Sequence, residues 1–338
     1  MGRTPARVVA VALCAAVTIG IAGIAGIAGI AQAAPLTDQE RAGRAVAYLA
    51  SKQKANGSIV AFSPIGSTAD AVSTFVAAGA GRTRMNRALG FLRTRVASGH
   101  VNSVGLQAKV ALAVAAAGGD PRDFGGVNLV RSLRDTLVGG HFGNSAVFDD
   151  ATAVLALEAA GSTPGTGVAA WLLAAQCPDG GWAYDRPYGP GDDEHCFDGT
   201  GSDFFTSDSN ATSLVVQALV GMHTTDWLNS PFAFFDTVRD GVNGGWAYSA
   251  AFVTTDANST GLVLQAYVAA GLPIPSGGLM ALRKLQYPGC GAFSYSYNGN
   301  AKGDPDVGAT IGAIPGLLRT PFPVSGSVAT GLPKTTDC

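Results

Sequence analysis

The chain has 338 residues, 22 Lys and Arg against 24 Asp and Glu, a formal net charge of −2 and only 14% charged residues. So even a balance excludes a basic face for nucleic acid and a polybasic stretch for an anionic membrane.

The first element in chain order is a leader. Arg3 and Arg7, the apolar run from Val8 to Ile30 and the small-x-small triplet Ala31-Gln32-Ala33 read as a secretory signal peptide over residues 1–33. Cleavage would leave a secreted chain beginning near Ala34, with no membrane contact afterwards. The competing reading is a retained anchor, because the run with its GIAGIAGIAG repeat is long enough to span a bilayer. The clean cleavage triplet and the lack of a basic stop-transfer flank favour export. Cys14 leaves with the leader, so Cys177, Cys196, Cys290 and Cys338 remain, an even set that suits an oxidising compartment. Four cysteines allow three pairings. The expected one joins Cys177 to Cys196, closing a loop within one repeat, and Cys290 to Cys338, fixing the extreme C-terminus.

The remaining chain repeats itself. YLASKQKANGSIVAF (48–62), LRDTLVGGHFGNS (133–145), LLAAQCPDGGWAY (172–184), RDGVNGGWAY (239–248) and LRKLQYPGCGAFSY (282–295) each set a glycine-rich turn and an aromatic or apolar residue after an apolar helical stretch. A second helix follows each: STADAVSTFVAAG (67–79), DDATAVLALEAAG (149–161), SDSNATSLVVQALVG (207–221), TTDANSTGLVLQAYVAAG (254–271) and DPDVGATIGAIPG (304–316). These start with Asp, Ser, Thr or Asn as caps, with Asp149, Asp208, Asp256 and Asp306 read as repeat-encoded N-caps, and stop at Gly. In the last, Pro315 and Gly316 are expected to end the helix early. Six helix pairs result, beginning near Asp38, Arg84, Val127, Gly167, Ser230 and Ser276, the second keeping only the helix–Gly–helix rhythm with Val104 to Ala117 as its second helix. The helices alternate between one class apolar all round and one with a polar face, which predicts an all-α fold of two concentric six-helix rings, an α6/α6 toroid. It spans residues 34–319, and an extended tail over 320–338 is tethered by Cys338.

The Gln-x-Pro-Asp-Gly-Gly-Trp unit of Gln176 to Trp182 and the Asp-x-x-Ala-Thr helix start resemble the repeat of the prenyltransferase and squalene-cyclase superfamily, whose toroid also serves the cobalamin-carrier α domain and complement-type thioester domains. The resemblance covers essentially the whole chain after the leader and specifies fold, not activity. It implies that Gln176 and Trp182 tie a helix to a neighbouring turn. For a class II terpenoid cyclase it implies an Asp-x-Asp-Asp acid. The chain offers Asp149-Asp150, without the leading Asp, and Asp304-Pro305-Asp306, with Val307 in the last place. Asp149, Asp150 and Asp306 are therefore the catalytic candidates. A zinc prenyltransferase would need dispersed Asp, Cys and His ligands, whereas Asp193, His195 and Cys196 crowd together and Lys109 is the exceptional base on the inner helices. In Pro288-Gly289-Cys290-Gly291 the thioester Glu-Gln is replaced by Ala292 and Phe293; Cys290 aligns there with Gly180 of the repeat turn.

One insertion escapes the repeat, DRPYGPGDDEHCFDGTGSDFF (185–205). It reads as a lid over the cavity, as a calcium site through Asp192, Asp193 and Glu194, or as a plain loop stapled by Cys177–Cys196. The favoured function is a secreted, non-catalytic toroid that binds an apolar or amphipathic small molecule, or a protein partner, at one mouth. No cofactor is expected. The ligand candidates are Trp182, Tyr184, Tyr188, Phe204, Phe205, Asp208, Trp246, Tyr248 and Asp256. The alternative is a terpenoid-cyclase-like or prenyltransferase-like enzyme acting on an isoprenoid with a degenerate acidic motif.

Overall fold

The computed structural model describes residues 35–187, 196, 206–298 and 301–338, and Leu36–Cys338 form one compact unit. Twelve helices lie among the described residues. The outer class comprises α1 (Asp38–Lys52), α3 (Arg82–Ala97), α5 (Leu129–Asp135), α7 (Thr166–Ala174), α9 (Pro231–Thr237) and α11 (Gly278–Leu285). The inner class comprises α2 (Pro64–Ala78), α4 (Val104–Ala116), α6 (Val147–Ala159), α8 (Ser209–Gly221), α10 (Ala257–Ala269) and α12 (Val307–Leu317). Inner helices touch in the order α2, α4, α6, α8, α10, α12 and back to α2, so they close a ring, and each outer helix packs against one or two of them.

The ring is built by two side-chain devices that the repeat encodes. The first is a threonine on the inner helix whose Oγ1 accepts the backbone N–H of the residue leaving the preceding turn. Thr68 takes Ile59, Thr212 takes Trp182, Thr260 takes Trp246 and Thr310 takes Phe293, at 3.0, 2.9, 2.9 and 2.9 Å. These N–H groups are buried, and a buried donor left unpaired costs about 1–3 kcal/mol. The second device is the glutamine. Gln176 Nε2 donates to Gly180 O at 2.8 Å and to Asn229 O at 2.7 Å, and Asn229 N donates back to Gln176 Oε1. Gln53 bonds Gly57 O and Arg84 O in the same way. Each glutamine so ties its own turn to the entry of the next outer helix. Gly180 takes φ +92°, and a Cβ there would lie 2.5 Å from Ser230 O, so the turn and its neighbour can meet only over glycine.

The ends of the chain are joined by the same device. Gln286 Nε2 donates to Gly291 O and to Arg41 O, and the Arg283 guanidinium grips Asp38 with two bonds of 2.7 and 2.8 Å while Arg319 adds a third at 2.9 Å. Gly291, at φ +87°, is the counterpart of Gly180, since it stands two residues before Phe293 as Gly180 stands two before Trp182. The alignment of Cys290 with Gly180 is thus corrected by one position, because this turn is one residue longer.

Two further expectations are corrected. Asp208, Asp256 and Asp306 cap α8, α10 and α12, but the N-cap of α6 is Ala146 and Asp149 lies inside the first turn. In α6 Asp150, not Thr152, receives the turn N–H, from Phe142 at 3.2 Å, so the helix is shifted by two residues relative to its Asp-x-x-Ala-Thr likeness. Pro315 does not end α12, which runs through it to Leu317. The carbonyl that proline leaves without a partner, Ile311 O, accepts Thr74 Oγ1 of α2 at 3.0 Å instead. The break in one helix thereby becomes a bond across the ring closure.

Both disulfides, Cys177–Cys196 and Cys290–Cys338, pair as expected. The tail packs on the helices: Val324 and Val328 are buried, Ala329 exchanges backbone bonds with Gly79 and Arg82, and Thr336 N reaches Gly289 O.

Candidate functional site

Helical spacing decides which side chains of the inner ring meet at its axis. Two residues beyond the turn-holding positions of five inner helices stand Asp70, Thr152, Leu214, Leu262 and Gly312, Lys109 stands two beyond Gln107 of α4, whose side chain donates to Val101 O, and all six line a single cavity of about 200 Å3. Three residues further on come Ser73, Leu112, Leu155, Gln265 and Pro315, which line it too. Toward the N-terminal ends of the helices the walls are Phe148, Asn210 and Asn258, with Phe62 beside them. The opposite end is stopped by the tail: Phe322 lines the cavity, its N–H donates to Gln217 Oε1 at 2.8 Å, and Gln265 Nε2 donates to Thr320 O at 2.7 Å.

The cavity is two-sided. On α2 and α4 Lys109 Nζ donates to Asp70 Oδ2 at 2.8 Å, both side chains retaining partial exposure of 25% and 39%, and the ammonium lies 5.6 Å from the Phe148 ring centre. On α8 and α10 the wall is Leu214 and Leu262. Asn210 Oδ1 is buried with no hydrogen-bond partner among the described residues. A ligand entering here meets charge on one side, aliphatic surface on the other and an amide with capacity to spare.

The residues singled out from the sequence fall elsewhere. Trp182 and Trp246 are fully buried in the core, Trp182 Nε1 donating to Leu172 O at 2.7 Å. Asp208 is spent on Asn210 N and Ala211 N, and Asp256 on Ser259 N. Burial pushes these carboxyls up to about 7 and about 6 against those bonds, with the Tyr248 hydroxyl bonding the first. Asp306 accepts Ala309 N. Tyr184 is half-buried and stacks on Phe148 at 5.5 Å, next to the cavity wall. Asp149 is half-buried over Gly105, its carboxyl pushed up by burial and drawn back by the Lys109 charge. Asp150 is fully buried: burial pushes it up to about 7, Oδ1 accepts Phe142 N and Ser145 Oγ, and Oδ2 has no hydrogen-bond partner among the described residues. None of Asp149, Asp150, Asp306, Trp182, Tyr184, Asp208, Trp246, Tyr248 or Asp256 lines the cavity. Tyr188, Asp192, Asp193, Glu194, Phe204 and Phe205 lie outside the described residues, and with them most of the lid, calcium and plain-loop question.

A larger concavity of about 510 Å3 sits past the C-terminal ends of α6 and α8, between Glu158, Pro164, Ala169, Met222 and His223. Its walls are mainly connecting segments, whereas the axial cavity is lined from all six inner helices.

A ring of inner helices, an outer helix to each, and a cavity on the axis define the architecture. No known family's sequence pattern matches the chain, and no curated protein matches it in sequence. Among solved structures it is similar to the type II terpene cyclase MstE from Scytonema in its apo form, with a TM-score of 0.56 and 13% identity over 84% of this chain and 98% of that one. It is similar to a variant of that enzyme holding its substrate geranylgeranyl dihydroxybenzoate (TM-score 0.55, 13% identity, 83% and 97% covered), and to a protein from Actinoplanes (TM-score 0.50, 15% identity, 83% and 98% covered). The chain has a terpenoid-cyclase-like fold.

Proposed function

We propose that the chain is an exported, non-catalytic α6/α6 toroid that holds a small amphipathic molecule in its axial cavity. The observation that carries this reading is the lining itself: six helices contribute one residue each at one level, and the only carboxylate among the described lining residues, Asp70, is bonded to Lys109. A proton donor for alkene chemistry needs an apolar, uncompensated site, and an ammonium at 2.8 Å is the opposite of one. The size supports the same view. About 200 Å3 lies below the roughly 300–1,000 Å3 of sites for drug-sized ligands and corresponds to roughly seven waters of about 30 Å3 each. Export is supported by the leader pattern and by two disulfides. Native mass spectrometry of the chain secreted from cells, before and after organic extraction, tests the reading. A bound small molecule that Leu262→Trp displaces is expected; an empty chain that accepts no small amphipathic compound counts against it.

A second reading, an isoprenoid cyclase or prenyltransferase with a degenerate acidic motif, draws on Asp150, whose buried carboxyl is pushed up to about 7 with Oδ2 unpartnered among the described residues. Turnover of squalene or a polyprenyl diphosphate that vanishes in Asp150→Asn and survives in Asp306→Asn would favour it.

A further inference from the structure

The unused bonding capacity of the axial cavity specifies its ligand more closely than size does. Lys109 Nζ has three N–H donors, and its one hydrogen bond among the described residues goes to Asp70 Oδ2. Among the described residues Asp70 Oδ1 takes no hydrogen bond, and Asn210 Oδ1 across the ring is buried without one. The cavity thus holds spare donors on a cation, a spare acceptor on an anion close beside it, and a spare neutral acceptor on the far wall. The charges of this bonded pair cancel, and Asp149, the next carboxyl toward Lys109, is pushed up by burial and drawn back by the Lys109 charge. A ligand with a lone carboxylate would serve Lys109 while repelling Asp70, and a lone ammonium would do the reverse. A molecule carrying both, a bond or two apart, satisfies each side and adds no net charge. The apolar part of the remaining lining, Leu112, Leu155, Leu214, Leu262, Ile311 and Pro315, asks for an aliphatic or aromatic body, with Ser73, Thr74, Thr152, Asn258 and Gln265 set among it.

We propose that the axial cavity is a site for a small apolar zwitterion, of the class of a free α-amino acid with a hydrocarbon side chain, its carboxylate on Lys109 and its ammonium on Asp70. This rests on the reading of the cavity as a ligand site and names the ligand's chemical class. The charged head lies against α2 and α4, the side chain points to the Leu214 and Leu262 wall, and Asn210 offers one more acceptor. The Phe148 ring gives the Lys109 ammonium a cation–π neighbour at 5.6 Å beside the pair.

The test is a calorimetric titration of the full chain with four probes of one carbon skeleton: leucine, 4-methylpentanoate, isoamylamine and isoamyl alcohol. Leucine is expected to bind at least tenfold more tightly than each of the others. In the double variant Asp70→Asn/Lys109→Gln, which keeps both shapes, the leucine affinity is expected to fall at least tenfold while that of the alcohol is unchanged. The alcohol serves as the folding control. If the alcohol binds and leucine binds no more tightly, or the double variant keeps its leucine affinity, the zwitterion class is overturned and the cavity reading stands. If no probe binds, both fall.

Discussion

Gln286 donates its side-chain N–H to the backbone carbonyl of Arg41 at 2.9 Å, and Arg41 donates back to Gln286 Oε1 at 3.1 Å, so the last outer helix is bonded to the first. Gln53 and Gln176 make the equivalent bonds between consecutive repeats, and of these three glutamines Gln286 is the one that spans the ends of the chain. Replacing it by Ala leaves the Gly291 carbonyl bare, at about 1–3 kcal/mol when buried, and cuts the bonds to Arg41, whose carbonyl lies inside α1 and keeps its intrahelical donor. Gln286→Ala is expected to lower the unfolding free energy by about 1–3 kcal/mol in urea, and a change below about 0.5 kcal/mol would contradict the clamp.

Pro315 and Thr74 are coupled through the Ile311 carbonyl. Thr74→Val should cost about 1–3 kcal/mol in the native background, because the carbonyl then has no donor. In a Pro315→Ala background residue 315 regains its N–H and can serve Ile311 itself, so the cost of Thr74→Val should fall by at least half. A double-mutant cycle measured by denaturation reads the coupling, and additivity would refute it.

Stability should depend on pH in a stated direction. Asp150 and Glu158 are pushed by burial up to about 7, above the value near 4 of an unfolded carboxyl. With the folded value raised, the folded state holds the extra proton, so the contribution is complete below about pH 4 and is lost as the pH rises through about 7. Each group supplies a slope of at most about 1.4 kcal/mol per pH unit inside that window. Asp38 and Asp240 are lowered and act with the opposite sign, but only below about pH 4. The melting temperature is therefore expected to fall between about pH 4 and 7, and Asp150→Asn, which can still accept from Phe142 and Ser145, should flatten part of that fall.

The C-terminal disulfide acts on the cavity floor as well as on stability. Cys338 anchors a tail whose Phe322 closes the axial cavity, and cysteines 48 apart in sequence close a long loop. Cys338→Ser is expected to cost about 2–4 kcal/mol. It should also speed hydrogen exchange at Phe322 N–H, which is bonded to Gln217. Unchanged exchange there would mean that Gln217 and Gln265 hold the floor without the tether.

The fold was legible because each repeat spells its own boundaries: Ser and Asp caps, glycine exits, and the Gln and Thr that hold the turn. Where local likeness and position disagreed, likeness misled. Asp149-Asp150-Ala151-Thr152 resembles the other helix starts, yet Ala146 is the cap and Asp150 does the work of Thr212. Pro315 looked like a stop because its missing partner sits on α2, at a position that only ring closure brings near. The cavity was legible only in Lys109, a base on an inner helix. Its companions Asp70, Leu214 and Leu262 are ordinary helix residues until the ring assembles, and the conspicuous aromatics Trp182 and Trp246 are consumed by the core.

The account's central claim is that the axial cavity is where this chain binds. Methyl NMR of leucine- and isoleucine-labelled protein, titrated with leucine and with isoamyl alcohol, addresses it residue by residue. The account predicts shifts concentrated at Leu112, Leu155, Leu214, Leu262 and Ile311, with Leu49, Leu92 and Leu133 of the core unmoved. Shifts confined to Leu157 and Leu219, toward the concavity of Glu158 and His223, or no shifts at all, would contradict it.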